Sequence, residues 1–300
     1  MWQKQKNIFN EHHAQVPVVD VLPNSFKVYY SSRDESGRSF PMSVEFSKED
    51  LRKIGTPERL NLGFGTRGSF DWSGIMPTDI ITLEDGTKYL YYIGWSRRID
   101  VPYHNNLGLA ISRDGGKSWA KYSDGPVFHT SAKEPGYIGT VDILIENDEW
   151  KMWYLSCRDW IEHEGLIEPL YNIKYSVSQD GINWNPTGHT CIPLQADEGG
   201  ISASRVVKEN SAYHMWFSVR NKSNYRNTKE NSYRIKKATS PDGINWVREN
   251  QIELDISEDP WENEMVCYPE IVKHNDIYYM FYNGNKFGKT GIGYATKRAT

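Results

Sequence analysis

An aromatic pair recurs at nearly constant spacing along the 300 residues of this chain. The copies are YYSSR at 29–33, YYIGW at 91–95, WYLSC at 153–157, WFSVR at 216–220 and FYNGN at 281–285. Successive copies therefore begin 62, 62, 63 and 65 residues apart. A fixed period of this length indicates a repeat architecture, and a repeat restricts the fold more strongly than any local signal.

Each repeat contains the same order of predicted strands. A short apolar strand, such as VDILIE at 141–146, precedes a turn, the aromatic strand and a third strand. In three repeats the third strand runs into a turn that resembles an Asp box: SRDGGKSW (112–119), SQDGINW (178–184) and SPDGINW (240–246). The Asp can accept hydrogen bonds from backbone N–H groups, and the Gly permits a positive φ. We therefore interpret these turns as structural hairpin turns that take no part in catalysis.

Strand-rich repeats of about 60 residues are typical of β-propeller blades with four strands each. We therefore predict an all-β fold, a five-bladed β-propeller that forms a single domain over residues 1–300. The last repeat stops soon after its third strand, which leaves a sheet edge open. We expect the N-terminal segment near residues 4–12 to supply the outer strand there and close the ring. The blades are predicted near 13–60, 70–125, 137–190, 198–252 and 262–300.

Composition and charge exclude several classes of protein. The net charge of −4 is mild, whereas nucleic-acid binders usually carry a basic excess. The three cysteines, Cys157, Cys191 and Cys267, are far apart and suggest neither a disulfide framework nor a metal site. The N-terminus, MWQKQKNIFN, has no apolar signal-peptide core, and no apolar run is long enough to span a membrane. We expect a cytoplasmic protein without a membrane span or a nucleic-acid partner.

The residues directly after each aromatic pair should form one ring around a funnel, because the loops after the second strands open on one face of a propeller. Three of these residues are arginines, Arg33, Arg158 and Arg220. Guanidinium groups match carboxylates and phosphates, so these arginines bind either an anionic ligand or local acids such as Asp34 and Asp159. The other predicted contacts in this ring are Trp95, Asn283 and Asn285.

One column of the inner strands contains charged residues where packing alone would favour apolar ones. Aligned on the aromatic pairs, the column holds Val18, Thr78, Asp142, Arg205 and Glu270. Charges that an inner strand buries must be paired or used. Asp142 and Glu270 flank Arg205, so the column forms either a structural ion triad or part of a site.

The loops that lead into the blades supply further acids and aromatic rings. A carboxylate pair with aromatic platforms is what chemistry at a glycosidic bond requires, since one acid protonates the leaving oxygen and the other acts from the opposite side. Trp and Tyr rings can stack on sugars. The residues in question are His13, Asp71, Trp72, Glu198, Glu264 and Tyr268.

The motifs FDWSGIMP, YYIGW, ISRDGGKSW, WKMWYLS, YHMWFSVR and YPEIV…FYNGN together resemble those of a known superfamily. It is that of the five-bladed propeller glycosidases, the furanosidase and fructosidase clan with the mannoside phosphorylase group. The sequence looks most similar to glycosidase-like propellers often encoded among polysaccharide biosynthesis genes. The resemblance spans 13–295 and implies carbohydrate binding and a catalytic set in the order Asp, Asp, Glu.

The chain departs from the furanosidase pattern in two places, and one of them is the Glu-x-Pro acid motif, which is absent and only loosely matched by Glu198 in DEGGISAS. Gln15, Val16 and Pro17 stand where those enzymes carry an Asp-Pro base. If the ring is counted from blade two, Asp71, Asp142 and Glu198 follow the order of the family, and Glu270 competes with Glu198 by its column position.

Our first hypothesis is an enzyme that acts on a glycosidic bond of an anionic sugar or sugar conjugate. Asp71 would be the base or nucleophile, Asp142 would orient, and Glu270 or Glu198 would be the acid. Arg33, Arg158, Arg205 and Arg220 would hold the anionic group, without any cofactor or metal. The sequence does not separate a hydrolase from a phosphorylase or a transferase, and it leaves the oligomeric state open.

The alternative hypothesis is a non-catalytic carbohydrate-binding or scaffold propeller in polysaccharide biosynthesis. It predicts that the carboxyl groups of Asp71, Asp142 and Glu270 do not meet in one pocket. A sialidase is a third option because it shares the Asp box and an arginine cluster, although sialidases have six blades and five repeats are counted here.

Overall fold

Strands make up almost all of the regular structure, so the fold is all-β, as the sequence predicts. The computed structural model describes residues 1–299, and Thr300, the last residue of the predicted domain, lies outside the described residues. A single turn at Asn285–Gly288, α1, follows β19. The strands are β1 (Gln3–Phe9), β2 (Gln15–Val21), β3 (Ser25–Arg33), β4 (Ser39–Ser47), β5 (Lys53–Arg59), β6 (Gly74–Thr82), β7 (Lys88–Arg97), β8 (Tyr103–Ser112), β9 (Ala120–Lys121), β10 (Ile138–Glu146), β11 (Glu149–His163), β12 (Leu166–Ser178), β13 (Asn185–Ile192), β14 (Glu198–Glu209), β15 (Ala212–Asn221), β16 (Arg234–Ser240), β17 (Val247–Leu254), β18 (Cys267–His274), β19 (Ile277–Asn283) and β20 (Ile292–Arg298).

The strands form three hydrogen-bonded sheets. In the first, the antiparallel strands β2–β5 continue into β6–β9 through one parallel bridge between Ser39 and Gly74. In the second, β10–β13 continue into β14–β17 through a bridge between Tyr171 and Gly200. The third has the order β1-β20-β19-β18, so the N-terminal strand is hydrogen-bonded to the last strand of the chain.

The first residue of the aromatic pair binds the glycine turn of the following repeat. The Tyr91 hydroxyl donates to the carbonyl oxygen of Gly181 at 2.7 Å, and Trp153 Nε1 donates to that of Gly243 at 2.7 Å. Gly181 has a φ of 71°, and a Cβ there would come within 2.6 Å of the Trp150 ring. In the second and third repeats, a hydrogen bond from the aromatic pair to the glycine turn of the next repeat thus supports the repeat period.

The second residue of the aromatic pair hydrogen-bonds to a buried acid, and this acid also forms an ion pair with a lysine. In three repeats a tyrosine hydroxyl donates to an acid of the preceding loop, and a lysine of the third or fourth strand of the repeat pairs with the same acid. These acids are all less than 4% exposed. The three sets are Asp71 with Tyr92 (3.4 Å) and Lys121 (2.5 Å), Glu134 with Tyr154 (2.9 Å) and Lys174 (2.7 Å), and Glu262 with Tyr282 (2.7 Å) and Lys4 (2.8 Å).

The fourth repeat uses the same device with different side chains. Phe217 replaces the tyrosine, so no hydroxyl is available, and Glu198 instead pairs with Arg248 Nη2 at 2.6 Å and Lys236 Nζ at 3.7 Å. In these four repeats, an acid before or at the start of the first strand thus pairs with basic residues of the third or fourth strand.

A β-bulge interrupts each of the strands β2, β6, β10, β14 and β18, which we call the inner strands. The pairing with the neighbouring strand shifts at corresponding positions, for example between Gln15 and Val18 and between Cys267 and Glu270. Val16 and Tyr268, inside these bulges, have φ values of 57° and 56°. Positive φ is costly for such residues, so the surrounding strands must hold these bulges in place.

A buried ion cluster joins the inner strands directly after the bulges. Arg205 pairs with Glu270 and lies 3.6 Å from Asp142, and its Nη2 donates to the carbonyl oxygen of Thr78 at 2.6 Å. Each acid also accepts a backbone N–H of the next inner strand, Asp79 from Ile143, Asp142 from Val206 and Glu270 from Val19. One guanidinium thus faces three carboxyl groups that also hold neighbouring strands together.

Burial raises the pKa of each of these acids, because removal from water disfavours the ionised carboxylate. The pKa of Asp142 rises to about 7, and Asp79, which also faces the Asp142 charge, is raised well above its usual range. The Arg205 charge opposes these shifts. The cluster therefore retains protons at pH values where exposed acids have lost theirs.

The Glu134→Gln substitution should destabilise the fold, because it leaves the buried Lys174 ammonium without its counter-charge. We expect a loss of about 3–5 kcal/mol in the free energy of unfolding, measured by urea denaturation. The control is Glu249→Gln at the more exposed pair Lys237–Glu249 (3.1 Å), which should cost less than about 1 kcal/mol. Equal losses at the two sites would contradict the buried-pair account.

The ion cluster should also make stability depend on pH. Between the unfolded pKa of about 3.9 and the folded value of about 7, folded Asp142 holds more proton than unfolded Asp142. Its contribution to stability is thus greatest below pH 4 and falls as the pH rises towards 7. Asp142→Asn removes this titration, so the variant should gain stability relative to wild type between pH 4 and 7. Denaturant titrations across this range, with the exposed Asp100→Asn as control, test this, and a pH-independent difference would refute it.

Candidate functional site

A cavity of about 410 Å³, which we call the main cavity, opens where the inner strands carry their bulges. All five inner strands line it, with Gln15 from β2, Met76 from β6, Thr140 from β10, Ser202 from β14 and Tyr268 from β18. The bulges turn these residues towards the cavity, whereas the charged residues after the bulges remain in the buried cluster. Strand ends and loops supply the rest of the wall.

Eight of the twenty residues that line the main cavity have aromatic rings. Tyr103 and Tyr137 have ring centroids 5.5 Å apart, and those of Tyr233 and Tyr268 are 6.0 Å apart. The Tyr171 and Tyr233 hydroxyls are in direct hydrogen-bond contact. Rings fixed in this way offer flat apolar faces and polar edges without much loss of side-chain freedom on binding. The full aromatic set is Trp95, Tyr103, Tyr137, Tyr171, Tyr225, Tyr233, Tyr268 and Phe287.

The charged groups of the main cavity are basic. Arg33 and Arg226 line it, and none of its lining residues within 1–299 is an Asp or a Glu. Arg226 is neutralised by Glu168, with Nε 2.9 Å from Oε1. Arg33 instead donates to Gln15 Oε1 at 3.1 Å and to the carbonyl oxygen of Gly37 at 3.2 Å. Arg33 therefore presents a full positive charge to the cavity.

His13 is the third basic side chain in the wall, with Arg33 and Arg226. Burial lowers the pKa of His13, although a 3.1 Å contact of Nε2 with the carbonyl oxygen of Phe287 opposes the shift. The imidazole is consequently neutral at pH 7 and acts there as a hydrogen-bonding group. Phe287 reaches the wall from α1, where Lys286 and Phe287 have φ values of 54° and 58°.

The acids that the sequence suggested for catalysis lie outside the lining of the main cavity. Asp142 and Glu270 engage Arg205, Asp71 pairs with Lys121, and Glu198 pairs with Arg248. All four side chains are buried or partly buried, and Asp71 is only 1% exposed to solvent. Their catalytic roles stay predictions, while their contacts are those of structural ion pairs.

The structure brings four of the predicted substrate contacts into the main cavity: His13, Arg33, Trp95 and Tyr268. Trp95 is held by a 2.6 Å hydrogen bond from Nε1 to Ser39 Oγ. The Arg220 guanidinium lies 3.9 Å from the Tyr225 ring centroid and donates from Nε to the Tyr171 hydroxyl at 3.3 Å, so it supports two rings of the wall.

The remaining predicted contacts lie elsewhere. Arg205 is in the buried cluster and Arg158 is exposed on β11. Asn283 and Asn285 bind backbone groups, since Asn283 Oδ1 accepts from Val16 N at 2.8 Å and Asn285 Oδ1 accepts from Glu264 N at 2.8 Å. Trp72 lines a second cavity of about 240 Å³, and Glu264 lines a third that shares Tyr225, Arg226 and Phe287 with the main cavity.

The structure corrects the predicted column of the inner strands at one position. Asp79, not Thr78, stands opposite the first aromatic residue of its repeat, Tyr91. The turn before Tyr91 is one residue longer than in the third repeat, because Asp79 precedes Tyr91 by 12 residues whereas Asp142 precedes Trp153 by 11. That difference in length is the sequence signal that identifies the third acid of the cluster.

Several residues of the main cavity lie beyond the aromatic pairs that defined the repeat. Tyr103, Tyr171, Tyr225 and Arg226 come from the long strand ends and loops that follow the second strand in repeats two to four. Their signal in the sequence is the excess length and tyrosine content of those connections, such as NKSNYRNTKENSYR at 221–234, compared with the short connection DESGR at 34–38.

Metal binding and membrane crossing each require a recognisable arrangement of side chains. Residues 1–299 contain no group of three or more His, Cys, Asp or Glu side chains arranged to hold a metal ion. In the same part of the chain, no helix combines the length and apolar character that crossing a membrane requires.

Comparison with known sequences gives a match over the full length. The chain is 31% identical over 306 residues to the uncharacterized protein Rv1502 of Mycobacterium tuberculosis, with 98% of each chain covered. A sialidase of Bacteroides fragilis is 23% identical over 171 residues, which cover 54% of this chain and 30% of that protein. No protein-family model matches the sequence.

Comparison with solved structures gives glycoside hydrolases. One glycoside hydrolase superposes with a TM-score of 0.75 at 17% identity, covering 100% of this chain and 91% of that one. A putative glycoside hydrolase of Bacteroides ovatus gives 0.73 at 15% identity (99% and 96% covered). A GH130 structure, from a family of mannoside phosphorylases that contains hydrolases of β-1,2 mannosidic linkages, gives 0.73 at 14% identity (99% and 94% covered). Sequence identities this low establish only the fold. This fold is that of a glycosidase-like β-propeller. With this fold and its full-length identity, the chain belongs to the same family as Rv1502 of Mycobacterium tuberculosis.

Proposed function

We propose that the protein binds a saccharide, or a saccharide conjugate, that carries an anionic group in the main cavity. The observation that supports this most directly is the pairing of eight aromatic residues with Arg33, which makes no ion pair among residues 1–299. Aromatic faces stack on the apolar faces of sugar rings, and a guanidinium fork binds a carboxylate or a phosphate. The polar tips of Gln15, Asn105 and Thr140 offer hydrogen bonds to ring hydroxyls.

The placement of the acids favours binding over hydrolysis by a carboxylate pair. Such a pair needs two carboxyl groups about 5–10 Å apart on either side of the scissile bond. Asp142 and Glu270 bind one buried Arg and backbone N–H groups of inner strands, and Asp71 binds Lys121. Turnover that uses Asp71, Asp142, Glu198 or Glu270 is the second candidate function, which the hydrolases and phosphorylases among the structural neighbours support.

We also infer that the strands build a five-bladed ring that strand β1 closes. Hydrogen bonds between successive inner strands support this, from Val141 N to Thr78 Oγ1 at 2.9 Å, from Ala203 N to Thr140 Oγ1 at 2.8 Å and from Val19 N to Glu270 Oε1 at 3.3 Å. The pairing of β1 with β20 supports closure at the chain ends.

A cytoplasmic location and a role in polysaccharide biosynthesis stay predictions. Together with the basic main cavity, they would favour an intracellular glycoconjugate such as a sugar nucleotide or a lipid-linked saccharide as the ligand.

The Arg33→Gln substitution should weaken binding of an acidic saccharide, because it removes the free charge of the main cavity. We expect affinity for a uronate-containing oligosaccharide, measured by isothermal titration calorimetry, to fall by about ten-fold or more. Affinity for its neutral analogue should change little. The matched control is Arg158→Gln, which removes an exposed arginine outside the cavity. Stronger binding of the neutral analogue by wild type would overturn the anionic-ligand proposal.

Catalysis is separated from binding by analysing each bound ligand for products by mass spectrometry. We expect bound saccharides to remain intact with wild-type protein. Turnover that Asp71→Asn abolishes, while ligand binding is retained, would replace the binding proposal with a carboxylate enzyme.

A further inference from the structure

The second cavity, of about 240 Å³, is rich in arginine. Arg38, Arg97 and Arg98 line it together with Trp72 and three serines, and no Asp or Glu within residues 1–299 is part of its lining. Arg67 adds a fourth guanidinium at 5.9 Å from the Trp72 ring centroid. Positive charge, hydroxyl groups and an aromatic face therefore meet at one depression of the surface.

The second cavity is a neighbour of the main cavity. The turn at 34–37 stands between them, because Arg33 on the main-cavity side donates to the carbonyl oxygen of Gly37 at 3.2 Å and Arg97 on the other side donates to that of Ser36 at 2.8 Å. The end of β7 contributes to both, with Trp95 in the main cavity and Ser96 in the second.

Two of the guanidinium groups are held in place, Arg38 by a ring and an ion pair and Arg97 by a carbonyl oxygen. Arg38 stacks at 4.1 Å from the Phe64 ring centroid, and its Nε lies 3.1 Å from Asp34 Oδ2. The carbonyl of Ser36 anchors Arg97. A neutral carbonyl leaves the charge of Arg97 uncompensated.

The only acid paired with these arginines among the described residues is Asp34. Asp34 Oδ1 accepts from Ser36 N at 3.0 Å, Ser36 Oγ at 2.7 Å and Arg38 N at 2.9 Å. This carboxylate is therefore committed to the turn and to Arg38. Arg97 and Arg98 are exposed and make no ion pair within residues 1–299, so the cavity has an excess of positive charge.

We propose that the second cavity is a binding site for a phosphoryl group, as in a phosphate ester or a diphosphate. One guanidinium fork satisfies a planar carboxylate, whereas a phosphoryl group offers three acceptor oxygens in different directions and more negative charge. Arg97 and Arg98, with Arg38 beside them, present donors from several directions and therefore match a phosphoryl group better than a single carboxylate. The site uses residues that the saccharide proposal does not use, so each can fail without the other.

Inorganic pyrophosphate is the probe, titrated into the full-length protein by isothermal titration calorimetry. We expect wild type to bind it and the double variant Arg97→Gln/Arg98→Gln to bind about ten-fold or more weakly. The control, Arg113→Gln/Arg158→Gln, removes two exposed arginines elsewhere and changes the net charge equally, so its affinity should stay within about two-fold of wild type. The single variant Arg98→Gln, which loses no hydrogen bond or ion pair of the described residues, should retain the wild-type Tm and still bind more weakly.

Absence of pyrophosphate binding by wild type, or equal weakening in the two double variants, would overturn the proposal. A second titration with a sugar phosphate identifies the source of the group. If Arg33→Gln weakens binding of the sugar phosphate but not of pyrophosphate, one ligand bridges the two cavities. If Arg33→Gln affects neither, the phosphoryl group arrives on a separate molecule.

Discussion

The buried Arg205 is the interaction on which the arrangement of the inner strands depends. Its guanidinium binds carbonyl oxygens of Thr78 and Val141 and faces the carboxyl groups of neighbouring inner strands. Each of those carboxyl groups in turn holds a backbone N–H of the following strand. The bulges that shape the main cavity come directly before these residues. The positions of the lining residues from the inner strands therefore depend on the contacts of the buried Arg205.

The use of acids in this protein explains why its site differs from that of a two-carboxylate glycosidase. Buried carboxylates on the inner strands and in the entering loops have basic or backbone partners, and Glu168, which pairs with a residue of the main cavity wall, is occupied by Arg226 and by the Tyr225 hydroxyl. A carboxylate in such a pair stabilises the fold, and its basic or backbone partners compete with a ligand for its lone pairs. Tyrosines and arginines are left to meet the ligand.

Much of the fold could be predicted from the sequence because its signals are periodic. The aromatic pairs mark the second strands, and their spacing is maintained by contacts such as that of Tyr91 with the turn at Gly181. The site was less predictable for two physical reasons. A turn that is one residue longer shifts the register of an inner strand by one, which placed Asp79 where Thr78 was expected. An ion pair depends on distant residues, so no local pattern revealed that Asp71 would meet Lys121 or that Arg158 would face solvent while Arg33 lined the cavity.

The bulges of the inner strands have a consequence for how such a protein can diverge. Successive side chains of a strand point to opposite sides, so deletion of one bulge residue exchanges the two sides for everything beyond it. In β10 the bulge lies between Ile138 and Val141 and contains the cavity residue Thr140, and the buried acid Asp142 follows directly after Val141. A one-codon deletion would therefore turn the side chains beyond the bulge to the opposite side of the strand, so an acid-free cavity and an acid-lined one are separated by a short mutational path within the same scaffold.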